Sequence, residues 1–127
     1  MKNLNKLYWL KLEVAHIENQ IKELTILRAF EMSGMPSGNS VSSPVEQFFN
    51  RLDKLRSKLE KAKDKVLKET ERLETYIEAV DDAEIRTLAR MRYIECMKFE
   101  DIGKECHMDR RTVSRKLENY FGKDENR

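Results

Sequence analysis

Two runs of apolar residues, each repeating at alternating intervals of three and four, constrain this 127-residue chain more than any other feature. The first run is Leu7, Leu10, Val14, Ile17, Ile21 and Leu24, with Leu27 and Phe30 continuing it. The second is Phe48, Leu52, Leu55, Leu59, Ala62, Val66, Leu73, Tyr76 and Val80, broken in register only at Glu69. Such spacing keeps one stripe of a helix apolar. It predicts helices over about 4–31 and 44–80, roughly 40 Å and 50 Å long at about 1.5 Å per residue. Between them, residues 33–44 carry Gly34, Pro36, Gly38 and several serines, the composition of a loop. Ser43 is the expected N-cap of the second helix, with Pro44 at its first position and Glu46 completing a capping box. Burying one stripe against the other gives an antiparallel hairpin, because each Leu or Ile left in water would forfeit about 1.5–3 kcal/mol.

Composition agrees with long solvated helices rather than sheets: 38% of residues are charged and 8% aromatic. No stretch reaches the 18 or so apolar residues of a membrane span, and the N-terminus lacks a signal-peptide pattern, interrupted as it is by Lys6, Lys11 and Glu13. Cys96 and Cys106 are too few for a disulfide scaffold, so a reduced, cytoplasmic protein is expected. Cys96, Cys106 and His107 also fall short of the four paired ligands of structural zinc; both thiols are expected to be buried, and neither metal nor cofactor is expected. His16 falls between seam positions, as a surface histidine would. Neither a phosphate loop nor a nucleophile–base pair is visible, which argues against an enzyme.

The last third is of a different kind. Asp81 with Glu84 marks a helix start, and a third helix should run to about Ile94 with Ile85, Leu88, Ala89, Met91 and Tyr93 facing inward. A bend over 95–98 follows. Counting from Phe99, the apolar residues Ile102, Cys106, Met108 and Val113 then occupy the interior positions of a helix-turn-helix, and Gly103 stands where the helices must approach closely. His107 takes the turn position that favours a left-handed backbone and usually glycine. Asp109 offers an N-cap to a final helix, Arg110 to Phe121. Lys116 stands where an apolar residue is usual, and Leu117 must fill the gap. A module of about 40 residues is small for independent folding, so Tyr76, Ile77 and Val80 at the end of the long helix should complete its core. The fold expected is therefore all-α: a coiled-coil-like hairpin over 1–80, a helix-turn-helix over 81–121 and a disordered tail over 122–127.

Arg92, Tyr93, Glu95, Phe99, Glu100, Asp101, Ile102, Thr112, Val113 and Leu117 fall as they do in the C-terminal DNA-binding region of bacterial sigma factors, which this stretch resembles over about one third of the chain. Cys96 and His107 stand where that pattern favours glycine. A helical hairpin followed by such a reader resembles small phage and prophage regulators, including ArpU-like late-gene regulators. The resemblance implies binding of double-stranded DNA and, at one remove, control of transcription.

The charge distribution points the same way. The net charge is only +2, yet Arg110, Arg111, Arg115 and Lys116 crowd one short segment against Asp109 alone. At about 100° per residue, Val113, Leu117, Tyr120 and Phe121 share one side of the last helix. Arg111, Ser114 and Arg115 share the other. Arginine can bind guanine through two hydrogen bonds, which makes Arg111 and Arg115 the candidates for base contacts, with Ser114 beside them. Arg110, Thr112 and Lys116 suit phosphates, and so, on the preceding helix, does Lys104. Two other functions remain open: a DNA-packaging subunit like a small terminase, and a helical interaction protein that binds RNA polymerase or another protein. The hairpin seams, larger than two helices readily hide, point to a homodimer.

Overall fold

The computed structural model describes residues 4–34 and 44–122, all helix and connection with no strand among them. The fold is all-α, as expected. Five α-helices follow one another: α1 (Lys6–Gly34), α2 (Pro44–Glu78), α3 (Ala83–Ala89), α4 (Phe99–Cys106) and α5 (Arg110–Phe121). A π-helical turn, Arg90–Ile94, extends α3. Ser43 and residues 123–127 lie outside the described residues, as does most of the expected loop.

Two compact units make up the chain. One comprises residues 11–64 and the other residues 1–10 with 65–127. In the first, α1 and α2 lie side by side and antiparallel: the Arg28 guanidinium sits 5.8 Å from the centre of the Phe48 ring near the loop end. Farther along, Leu24 shares a hollow with Leu55, and His16 shares one with Lys58. Only Leu52 and Ala62 of this seam are buried; Val14, Ile17, Ile21, Leu24, Leu55 and Leu59 are half-covered. Two helices shield each other from one direction only, so most positions of this seam stay half-covered. Leu27 and Phe30, expected to prolong the seam, are instead 61% and 78% exposed.

The second unit has a closed core. Leu4 just ahead of α1, Leu7 in its first turn, and Leu73 and Ile77 from α2 pack with Leu88, Ala89, Tyr93, Ile102, Val113 and Leu117. The end of α2 therefore completes the helix-turn-helix core, as its small size required, and the first turn of α1 does so too. Phe121 closes the bottom, edge-on to Tyr93 at 5.7 Å and tilted against Tyr76 at 6.0 Å. Tyr120, expected on the same inner side, is half exposed. Glu69 does not turn away from the seam as the broken register suggested. It is buried, and Arg72 one turn on grips both its oxygens, Nε donating at 2.9 Å to Oε1 and Nη2 to Oε2. That hydrogen bond is the main cause that raises the Arg72 pKa further.

The corner after α2 is built from polar groups. Asp82, rather than Asp81, caps α3: its carboxylate accepts the N–H of Glu84 at 2.9 Å and of Ile85 at 3.4 Å. Arg86 reaches back to donate to the carbonyls of Val80 (2.6 Å) and Asp81 (3.1 Å), satisfying groups that the end of α2 leaves open.

Candidate nucleic-acid interface

The helix-turn-helix is held in shape by its two stops. α4 ends at His107, which adopts the left-handed conformation (φ 56°, ψ 45°) that the missing glycine would have taken without strain. The N–H of Met108 then bonds to the Gly103 carbonyl at 2.9 Å, the closure of a left-handed helix stop. Gly103 meets the turn most closely and the first residue of α5 next. A Cβ there would stand 2.4 Å from the Met108 carbonyl oxygen and 3.4 Å from the Arg110 nitrogen. Asp109 caps α5 as expected, accepting the N–H of Arg111 at 3.1 Å.

Upstream, the π-helical turn replaces the regular end foreseen for the third helix. The N–H of Glu95 bonds to the Arg90 carbonyl at 2.9 Å and that of Met97 to the Met91 carbonyl at 3.0 Å. Two consecutive residues of this turn, Arg92 and Tyr93, are both buried. Tyr93 enters the core. Arg92 donates from Nη1 to the Met97 carbonyl at 3.0 Å and lies 3.8 Å from the centre of the Phe99 ring. It thus ties the 95–98 bend to the start of α4. The bend reverses at Cys96, whose φ is 60°. Neither thiol is as deeply buried as expected. Both cysteines are half-covered, with Cys106 Sγ 3.8 Å from Met91 Sδ.

With that frame set, the outer face of α5 borders an open hollow of about 540 Å³. Arg110, Arg111, Ser114 and Arg115 line it from α5, so four of the seven residues singled out by sequence come together there. Lys98 and Arg92 join them from the bend and the π turn, while Glu100 and Glu118 border it as carboxylates. Ser114 Oγ donates to Glu118 Oε1 at 3.4 Å. Five cations against two acids make the hollow electropositive, and Val113 and Leu117 on the inner side of α5 hold that helix by burial.

The other three residues lie elsewhere. Lys116 is turned toward α3, where its Nζ bonds to Glu84 Oε1. Thr112 is half-buried. Lys104 borders a second hollow with Gly103, His107 and Arg110, and its Nζ lies 3.8 Å from Glu100 Oε1 on the turn before. Lys98, conversely, was passed over. It stands one residue before the first helix of the motif, where an extended backbone brings a side chain alongside the N-terminus of α4. Its position directly ahead of Phe99 is the signal that marks it.

Among the described residues, no three His, Cys, Asp or Glu side chains gather in a way that holds a metal ion, and no helix is long and apolar enough to cross a membrane.

A protein-family model matches residues 41–121, more than half of the chain. The chain belongs to the DUF1492 family, described as proteins of unknown function. The DUF1492 match takes in α2 together with α3, α4 and α5, consistent with the end of α2 being part of the reader's core. No curated protein and no solved structure matches the chain.

Proposed function

We propose that this DUF1492 protein is a sequence-specific binder of double-stranded DNA, a transcriptional regulator of the phage type, and not a catalyst. The observation that carries the reading is the hollow along the outer face of α5, where Arg110, Arg111, Ser114, Arg115 and Lys98 converge on the exposed side of a helix-turn-helix. α5 enters the major groove with Arg111 and Arg115 on base edges and Ser114 between them. Arg110 and Lys98, nearest the N-termini of α5 and α4, hold phosphates that fix the register. Glu100 and Glu118 keep the face from being uniformly basic. They repel phosphates from the middle of the hollow and accept from cytosine amino groups, which favours base readout over plain charge attraction. Arg92 positions rather than contacts, keeping Lys98 and the first turn of α4 in place.

The hairpin, with its half-covered seam, is the assembly element and joins two copies. The likeness of the 92–117 stretch to the sigma-factor reader, and of a helical hairpin followed by such a reader to ArpU-like regulators, supports a role in a cytoplasmic transcription complex, with RNA polymerase as a further partner.

Titration of a labelled duplex at several salt concentrations tests the reading. The unmodified protein should bind with an affinity that falls steeply as salt rises, and Arg111→Glu with Arg115→Glu should abolish binding while leaving the helical content unchanged. Binding that ignores salt, or survives the double charge reversal, would remove the assignment.

A further inference from the structure

The hairpin unit carries its charges on one flank in a way that its seam alone does not require. Along α2, Arg51, Lys54, Lys58 and Lys61 recur at three- and four-residue intervals and so form one exposed row beside the seam. On the other flank of the same stretch the signs alternate: Asp53, Arg56, Glu60, Lys63. The cationic row borders a continuous groove between α1 and α2. One part of the groove holds Glu23, Leu24 and Leu27 of α1 against Arg51, Lys54 and Leu55 of α2. The adjoining part holds Glu13 and Ile17 of α1 against Lys58 of α2, and Gln20 and Lys58 line both parts. The floor is thus half-covered seam, one wall carries carboxylates and the facing wall carries cations.

We propose that this groove face is the surface by which two copies of the chain associate, with each acidic α1 wall set on the partner's basic α2 wall. The inference rests on the reading of the hairpin as the assembly element and adds which face pairs, and how. Two hairpins can meet face to face about a two-fold axis in one of two ways. An axis perpendicular to the helices sets α2 on α2 and opposes two cationic rows, which like-charge repulsion disfavours. An axis parallel to the helices sets α1 on the partner's α2 at the same level, antiparallel to it. Glu23 then meets the partner's Arg51 and Lys54, and Glu13 meets the partner's Lys58. The contact is isologous, so every such pair occurs twice. The same arrangement covers Ile17, Leu24, Leu27 and Leu55 on both copies in a four-helix bundle. A foreign acidic helix would fit the cationic wall but would confront Glu13 and Glu23 with like charge.

The test uses the full chain and two charge-reversed forms, one with Glu13→Lys and Glu23→Lys, the other with Arg51→Glu, Lys54→Glu and Lys58→Glu. Sedimentation should show the unmodified protein as a dimer and each reversed form dimerising at least about tenfold more weakly. Mixing the two forms should restore a one-to-one heterodimer. In a mixture of isotopically labelled and unlabelled unmodified protein, zero-length carbodiimide cross-linking should join Glu23 of one copy to Lys54 of another. A protein that stays monomeric at high concentration overturns both the assembly reading and this pairing. A dimer that survives both reversals, or whose Glu23–Lys54 cross-links are confined to single copies, keeps the assembly and overturns the pairing.

Discussion

His107 and Gly103 show how closely the turn of the reader is constrained. His107 holds a left-handed backbone with its side chain exposed, so its replacement by glycine removes strain without removing packing. His107→Gly should raise the unfolding free energy by about 0.5 kcal/mol, the relief being partly offset by the freer unfolded chain. His107→Val should lower it by about 1–2 kcal/mol, since a β-branched residue resists positive φ. Gly103→Ala drives a Cβ into the Met108 carbonyl and should cost about 1–3 kcal/mol, read in the same denaturant titrations. These positions were legible because turn chemistry is local: Gly103, His107 and Asp109 follow from spacing alone. Cys96 was visible only as a departure from glycine. Its positive φ comes directly after the π-helical turn, where Arg92 lies over the Phe99 ring, and no short sequence window encodes that turn.

The helices divide the same way between what periodicity can and cannot convey. The three-four spacing locates α1 and α2, because apolar periodicity is a property of a single helix, and the loop between them sets them antiparallel. It could not tell that Leu4 and Leu7 join the reader's core, since the seam reads the same wherever its partner lies. Nor could it tell that Glu69 is buried, because a carboxylate in a seam register is read as an interruption until its arginine is found. Replacing Glu69 with leucine exchanges a buried carboxylate, paired with the exposed Arg72, for packed hydrocarbon and should change stability by less than about 2 kcal/mol in chemical denaturation. Arg72→Ala instead leaves the buried carboxylate without its two-pronged donor and should destabilise by about 1–3 kcal/mol. On α5, helical phase put Lys116 at the edge of the basic face, yet Glu84 draws it to α3. Lys116→Ala should therefore leave the salt dependence of DNA binding unchanged. Lys98→Ala should reduce the slope by about one, a contrast that duplex titrations across a salt series measure directly.

For the molecule as a whole, the chain is nearly neutral, yet cations gather along the outer face of α5 and one flank of α2. On the proposed function, a small net charge keeps non-specific attraction to nucleic acid low and leaves recognition to the few side chains of α5. Two joined copies would present two such helices and read a two-fold related site, gaining affinity from the second contact without new residues. The central claim is that the face of α5 reads bases, and selection from random duplexes at fixed salt tests it most directly. The unmodified protein should enrich one motif. Arg111→Ala and Arg115→Ala should each cost about 1–3 kcal/mol on that motif and relax the preference at one base pair, while Lys98→Ala weakens all sequences alike. Enrichment of no sequence by the unmodified protein, or an unchanged preference in both arginine variants, would contradict the account.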